Sequence, residues 1–250
     1  MTYSQNAWSP TGKVSIIGHR GAMGHAPENT MASFRKGLEL GADIIEFDVH
    51  LSKDGHVIVM HDHAVNRTTN GTGLIRDKTL KELKSLDAGS WFGRGFAGEV
   101  IPTLNEVLEW AKGKTRIAIE IKNGPIYYPG IEERVVDALR GSQMIDTAVV
   151  ISFDHFSVRR VKEIEPTVAT GILLAARPID IVAMAVAANA NVILPAWAYV
   201  TPDIVARAHQ SNLAVHTWVV NEVTDMQYVL SLVVDGIGTN YPERLRALIG

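Results

Sequence analysis

Short apolar runs of strand character alternate with amphipathic, helix-like stretches along most of this chain, and that alternation limits the folds open to it. Strand-like runs fall at 14–18, 43–49, 116–121, 148–152, 168–173, 192–194, 213–219 and 236–238. Helical segments fall at 31–40, 104–110, 131–139, 157–164, 179–188, 202–209, 225–232 and 243–248. A strand followed by a helix, eight times over, predicts an α/β fold of the (β/α)8 TIM-barrel type. The 250 residues suit one such barrel, and at 46% hydrophobic content the chain can fill both the barrel and the layer under its helices.

The rhythm breaks once. After the second strand, Lys53-Asp54-Gly55 turns the chain into another apolar run at 57–61. Residues 63–103 then carry a Gly-rich turn (Thr69-Asn70-Gly71-Thr72-Gly73), a short helix near 80–86 and the aromatic pair Trp91-Phe92. About forty residues are too few for an independent core. The expectation is therefore one domain over 1–250, with 63–103 as a small insertion after the second strand.

Several strands stop at charged residues, which makes poor core and good active site. Side chains two apart on a strand share a face, so Glu46 and Asp48 point one way while Ile45, Phe47 and Val49 point toward the covering helices. The run Arg116–Ile121 repeats the pattern: Ile117, Ile119 and Ile121 form one face, and Ala118, Glu120 and Lys122 the other. Solvated strand ends would account for either pair alone. In a barrel of this type, however, active sites sit at the C-terminal strand ends, and His19, Glu46, Asp48, Glu120, Lys122 and Trp218 all fall there. Carboxylates brought close repel unless a cation or a shared proton compensates them, and oxygen ligands favour a hard ion such as Mg²⁺ or Ca²⁺ over zinc. Asn29 and Thr30 are the cap candidates of the first helix, and Gly41 its stop.

Composition excludes several classes. A net charge of −3, a pI near 6.3 and the lack of any long basic run argue against nucleic-acid binding. The chain has no cysteine, so disulfide and thiol chemistry are excluded. The first thirteen residues lack the apolar centre of a signal peptide, and no span of about 18 apolar residues follows. A cytoplasmic protein with no membrane insertion is expected.

The ordered motifs are more specific. HRG at 19–21, ENT at 28–30, EFDVHLSKDG at 46–55, HD at 61–62, RTTNGTG at 67–73, IPTL at 101–104, EIK at 120–122, SF at 152–153, TWVVN at 217–221 and DGIGTNYP at 235–242 resemble the glycerophosphodiester phosphodiesterase family over nearly the whole chain. The resemblance implies a metal-dependent hydrolase of small phosphodiesters such as glycerophosphocholine or glycerophosphoethanolamine, releasing glycerol 3-phosphate and an alcohol. It puts the metal ligands on Glu46, Asp48 and Glu120 for one divalent cation, Mg²⁺ or Ca²⁺, with Mn²⁺ a further candidate. The catalytic histidines fall on His19 and His61. Arg20 and Lys122 match the basic residues at the phosphate, Glu28 a supporting acid there, and Trp218 an aromatic lining the alcohol pocket.

Four alternatives stand beside this reading. A relative acting on lysophospholipids would want an apolar entrance, for which Trp91, Phe92 and Phe96 are candidates, although packing within the insertion explains them as well. A relative could also stop at a cyclic phosphate. His61-Asp62-His63 imitates the H-x-H zinc pair of barrel amidohydrolases, but such a pair belongs at the end of the first strand with further ligands later. A barrel that binds phosphodiesters without turnover would have lost a histidine or an acid, and none is missing. Five other histidines, His25, His50, His56, His155 and His209, are expected in loops, caps or on the surface.

Overall fold

The computed structural model describes Trp8 and residues 13–250. In chain order, β1 (Ser15–Gly18), α1 (Met31–Glu39), β2 (Ile44–Leu51) and the short β3 (Val57–Val59) come first, and α2 (Leu80–Lys84) lies in the insertion. Then α3 (Leu104–Ala111), β4 (Arg116–Ile121), α4 (Ile131–Ser142), β5 (Ala148–Ser152), α5 (His155–Ile164), β6 (Ala169–Leu174) and α6 (Ile181–Ala187) alternate. The chain finishes with β7 (Val192–Pro195), α7 (Pro202–Gln210), β8 (Ala214–Thr217), α8 (Val223–Ser231), β9 (Gly236–Thr239) and α9 (Pro242–Ile249).

Among the described residues, eight parallel strands close a barrel in the order β1-β9-β8-β7-β6-β5-β4-β2. The ring shuts where β1 pairs with β2, Ile17 beside Ile44. β3 folds back antiparallel on the C-terminal end of β2, Leu51 opposite Val57, and feeds the insertion. The (β/α)8 architecture with an insertion after the second barrel strand is thus the observed fold.

Local chemistry sets the element ends. Thr30 caps α1, its side-chain oxygen accepting the Ser33 N–H at 3.2 Å. Gly41, at φ 88°, takes the left-handed turn that ends the helix while Ala42 donates back to the Gly37 carbonyl. Asn29 is not a cap: its side chain is drawn into the polar cluster described below. Asp154 caps α5 by accepting the Phe156 N–H, so that helix starts two residues before 157, the start read from periodicity. Thr103 and Glu106 form a capping box at α3.

Alternation on the strands sorts the core into two layers. Ile45, Phe47 and Val49 of β2 and Ile117, Ile119 and Ile121 of β4 pack under the helices with Phe34, Leu104, Leu108 and Val135. The opposite faces point into the barrel, where Ile44, Ala118, Val149 and Val192 meet Trp8. The Arg116 guanidinium lies 5.2 Å from the Trp8 ring, and Arg116 opens β4, so the indole fills the N-terminal end of the barrel. Each such fully buried large side chain contributes about 1.5–3 kcal/mol.

The insertion builds a small cluster of its own from Val65, Ile75, Leu83, Ala88 and Ile101, seated on Ile58 and Met60 of the hairpin arm. Trp91, Phe92 and Phe96 stack edge to face on one another, with ring centres 5.6 and 5.5 Å apart. They pack together and line no part of the pocket at the barrel mouth. Among the described residues, no helix is long and apolar enough to cross a membrane.

Candidate active site

Strand register brings the acids together. Asp48 on β2 lies directly beside Glu120 on β4, and Glu46 beside Ala118. With Glu46 and Asp48 on the same face, one ligand oxygen from each of the three carboxylates lies within 4.8 Å of the others. All three acids are buried. Among the described residues, this is the group of carboxylates and histidines that could hold a metal ion.

Two cations face the acids. The ammonium of Lys122 donates to Glu120 Oε1 at 2.7 Å and lies 3.4 Å from Asp48 Oδ1. Arg20, which follows β1, donates its backbone N–H to Glu46 Oε2 at 2.8 Å, and its Nε sits 3.4 Å from Asp48 Oδ2. Asn29, held at φ 57°, donates its amide N–H to Asp48 Oδ2 at 2.8 Å. Burial alone would raise the Asp48 pKa, but Lys122 and Arg20 overcome it and hold the carboxyl well below its usual range. Glu46 goes the other way, pushed far up by burial and then by the charges of Asp48 and Glu120. Glu120 rises to about 7 through burial and the neighbouring Asp48, against the pull of Lys122.

Three buried carboxylates with two partial counter-charges are short of positive charge. A divalent ion with oxygen ligands would supply it, and Glu46, Asp48 and Glu120 are the donors that fit. Zinc would want nitrogen or sulfur, and no histidine joins the group.

Both candidate histidines line the same pocket, with Arg20, Glu46, Glu120, Lys122 and Trp218. His19 places Nδ1 2.7 Å from Asn240 Oδ1. An amide oxygen only accepts, so Nδ1 carries the proton and Nε2 keeps its lone pair. Burial, reinforced by Arg20, pushes the His19 pKa down to about 4. His61 follows β3 and sets Nδ1 2.7 Å from Asp62 Oδ1. Its backbone carbonyl accepts from Nε2 of His50 at 3.0 Å.

His50 departs from the expectation for the minor histidines, being fully buried rather than in a loop, cap or surface position. Its Nδ1 has no hydrogen-bond partner, and burial lowers its pKa to about 3. The ring packs 4.8 Å from His63 and 5.3 Å from Tyr128. His63 stands 3.3 Å from both the Tyr128 hydroxyl and the Gly124 carbonyl, turned away from the acids, so the H-x-H zinc pair does not form.

The far wall of the pocket is apolar. Trp218 anchors its indole N–H on the Leu194 carbonyl at 2.8 Å and meets Phe153 edge to face at 5.5 Å. Glu28 does not line the pocket; it lies behind Arg20, 5% exposed, and accepts from Arg20 Nη1 at 2.8 Å. Its other partner is Arg67, from the insertion, whose guanidinium also binds Asp62. A more open groove lined by His56, Leu104, Asn105 and Arg134 lies on the outer side of α3 and α4, away from the acids.

Seven of the nine residues singled out in sequence line one pocket; Asp48 is buried beside Glu120 at its edge, and Glu28 lies behind Arg20. Sequence reasoning gave no place in the site to Asn29, which it read as a helix cap, or to Asp62, Arg67, Asn240, His50 and Phe153. All six stood inside quoted motifs (ENT, EFDVHLSKDG, HD, RTTNGTG, SF and DGIGTNYP), but contacts made across the fold carry no periodic signal.

Comparison with known proteins agrees over the length of the chain. The profile described as "Glycerophosphoryl diester phosphodiesterase family" matches residues 19–244. The glycerophosphodiester phosphodiesterase of Caldanaerobacter subterraneus subsp. tengcongensis is 42% identical over 238 residues, covering 95% of this chain and 98% of the relative. The crystal structure of an Agrobacterium tumefaciens glycerophosphodiester phosphodiesterase superposes with TM-score 0.82 at 29% identity, over 94% of this chain and 99% of that one. An Oleispira antarctica phosphodiesterase, solved with its product sn-glycerol-3-phosphate, superposes with TM-score 0.85 at 29% identity, over 94% of this chain and 96% of that one. By sequence, fold and the acids and histidines gathered at its mouth, this chain is an enzyme and belongs to the glycerophosphoryl diester phosphodiesterase family.

Proposed function

We propose that the chain hydrolyses glycerophosphodiesters, such as glycerophosphocholine or glycerophosphoethanolamine, to glycerol 3-phosphate and an alcohol. The observation that carries this reading is the convergence of His19 and His61 on one pocket beside three buried carboxylates. The Oleispira enzyme, solved with sn-glycerol-3-phosphate, supports the choice of product.

Glu46, Asp48 and Glu120 would hold a divalent cation, Mg²⁺ or Ca²⁺ or else Mn²⁺. When bound, the ion neutralises charge on a nonbridging phosphate oxygen. Arg20 and Lys122 face the same anion from two sides and stabilise the charge that builds on it. His19 is suited to be the base. Its Nδ1 proton is committed to Asn240, and its lowered pKa leaves the ring neutral at neutral pH, with Nε2 free to take a proton. His61, backed by the Asp62 carboxylate, is suited to deliver a proton to the leaving alcohol. The attacking hydroxyl is that of water or the substrate's own glycerol, the second route passing through a cyclic phosphate. Trp218 and Phe153 give the alcohol portion an apolar wall.

The whole of residues 1–250 is read as one domain, with 63–103 as a subregion. Support comes from the insertion's cluster, which rests on Ile58 and Met60 of the hairpin arm. The test is incubation with glycerophosphocholine and Mg²⁺, Ca²⁺ or Mn²⁺, scored for glycerol 3-phosphate. Release of that product is expected. A cyclic phosphate as the end product, or none at all, would remove this reading.

A further inference from the structure

The loop from Val65 to Gly73 is closed on itself. The Val65 N–H bonds the Gly73 carbonyl, Gly73 N–H bonds Asn66 Oδ1, and Thr69 Oγ1 bonds the Val65 carbonyl. Ala64 bridges Leu74, and the Ile75 N–H returns to the His63 carbonyl. Val65 and Ile75 are buried in the insertion's cluster. The loop is therefore held at both ends, and it carries Arg67 back toward the barrel mouth.

Arg67 forks twice. Its Nε and Nη2 donate to the two oxygens of Asp62 at 2.8 and 3.0 Å. Its Nη1 and Nη2 donate to the two oxygens of Glu28 at 2.7 and 2.8 Å. Only a planar guanidinium can bind two carboxylates in this bidentate way. The two carboxylates differ in character. Glu28 is buried and fixed by Arg20, whereas the Asp62 side chain is about a third exposed and has His61 as its other partner.

We propose that Arg67 is a positioning residue for the reaction, a strap from the insertion that uses buried Glu28 as its anchor to hold Asp62, and through Asp62 the ring of His61. The proposal rests on the reading of His61 as the leaving-group acid. An alternating chain runs from His61 through Asp62, Arg67, Glu28 and Arg20 to Asp48, with each contact at 3.4 Å or less. Cutting it at Arg67 leaves Glu28 held by Arg20, but frees Asp62 to rotate off the imidazole. The phosphate side of the pocket stays in place, and the proton donor loses its aim. The same view makes the insertion part of the catalytic apparatus.

The test compares Arg67→Ala and Arg67→Lys with His61→Ala and the double variant on glycerophosphocholine and on a nitrophenyl diester, whose leaving group barely needs an acid. Arg67→Ala should lower kcat on glycerophosphocholine by about tenfold or more, leave KM within about threefold, and recover most of its rate on the nitrophenyl diester. In the His61→Ala background the same substitution should cost little more, because both changes remove one function. Arg67→Lys keeps the charge without the fork, so it should restore only part of the rate. Should the alanine variant fail to fold, the lysine variant carries the same two-substrate comparison. Equal losses on both substrates, or a loss that multiplies with that of His61→Ala, would show that Arg67 merely supports the fold and would defeat the proposal. A crippled His61→Ala beside a fully active Arg67→Ala defeats it alone. A fully active His61→Ala defeats the acid assignment as well.

Discussion

Asp48 shows how much one residue can be asked to do. Its carboxylate is almost wholly buried, yet it meets Asn29, Arg20 and Lys122, and it stands beside Glu120 in register. Burial and the charge of Asp48 push the pKa of its neighbours Glu46 and Glu120 upward. We predict that chelation abolishes turnover, and that Asp48→Asn weakens binding of the divalent ion in calorimetric titration while the circular dichroism spectrum is unchanged. Full activity in excess EDTA would refute the metal assignment. At the histidines, His19→Ala and His61→Ala should each lower kcat by about 10²-fold, the scale of a lost general acid or base. His63→Ala, whose ring leans on Tyr128 and His50, should cost far less. An activated leaving group should rescue His61→Ala and not His19→Ala, and rescue of the other variant would exchange the two roles.

Along β2, stability and chemistry are separated by a single residue step. Phe47 is fully buried under α1, its ring 5.6 Å from Phe34, while Asp48 next to it points into the barrel mouth. Phe47→Ala should destabilise the fold by about 3–5 kcal/mol in urea titration, with the metal affinity of the remaining folded protein nearly intact. A large loss of metal affinity without a loss of stability would contradict this division of faces. The β2–β3 hairpin matters for a different reason: the Met60 N–H bonds the Asp48 carbonyl, which ties the arm carrying His61 to the strand carrying the acids.

On the scale of the whole barrel, the interior carries a second buried imidazole that takes no part in the proposed reaction. His216 on β8 lies 6.2 Å from Trp8, and Gly236 on β9 makes room for it: a Cβ there would come within 2.7 Å of the ring. Burial lowers the His216 pKa from 6.5 to about 4. Between those two values the unfolded chain holds a proton that the folded chain refuses, so stability is full above the upper value and falls as pH drops toward the lower. The slope from this residue is about 1.4 kcal/mol per pH unit. Urea denaturation at pH 7 and pH 5 should therefore differ more for the native chain than for His216→Gln, by about 2 kcal/mol. Parallel pH dependence in the two proteins would show that His216 is not the group responsible.

Features that depend on spacing along the chain were readable in advance. The period of two put Ile45, Phe47 and Val49 against the helices and Glu46 and Asp48 on the other face, because strand geometry is local. The eightfold repeat implied the barrel for the same reason, and the barrel in turn implied which strand ends would meet. Other features arose only when the ring closed. Asn240 reaches His19 across 221 residues because β9 pairs with β1. Asn29 was readable as a helix cap, since it precedes a helix, but packing turned it onto Asp48 and left the cap to Thr30. His50 looked like one more loop histidine, yet the hairpin folds over it and buries it. Arg67 belongs to an insertion with no periodicity, and its two carboxylate partners are 39 and 5 residues away. The sequence alone thus determined the elements, their faces and the acids and histidines at the strand ends. Only the tertiary structure decided which polar side chains hold those groups in place, because a hydrogen bond between distant loops depends on the closure and register of the barrel and leaves no mark in local spacing.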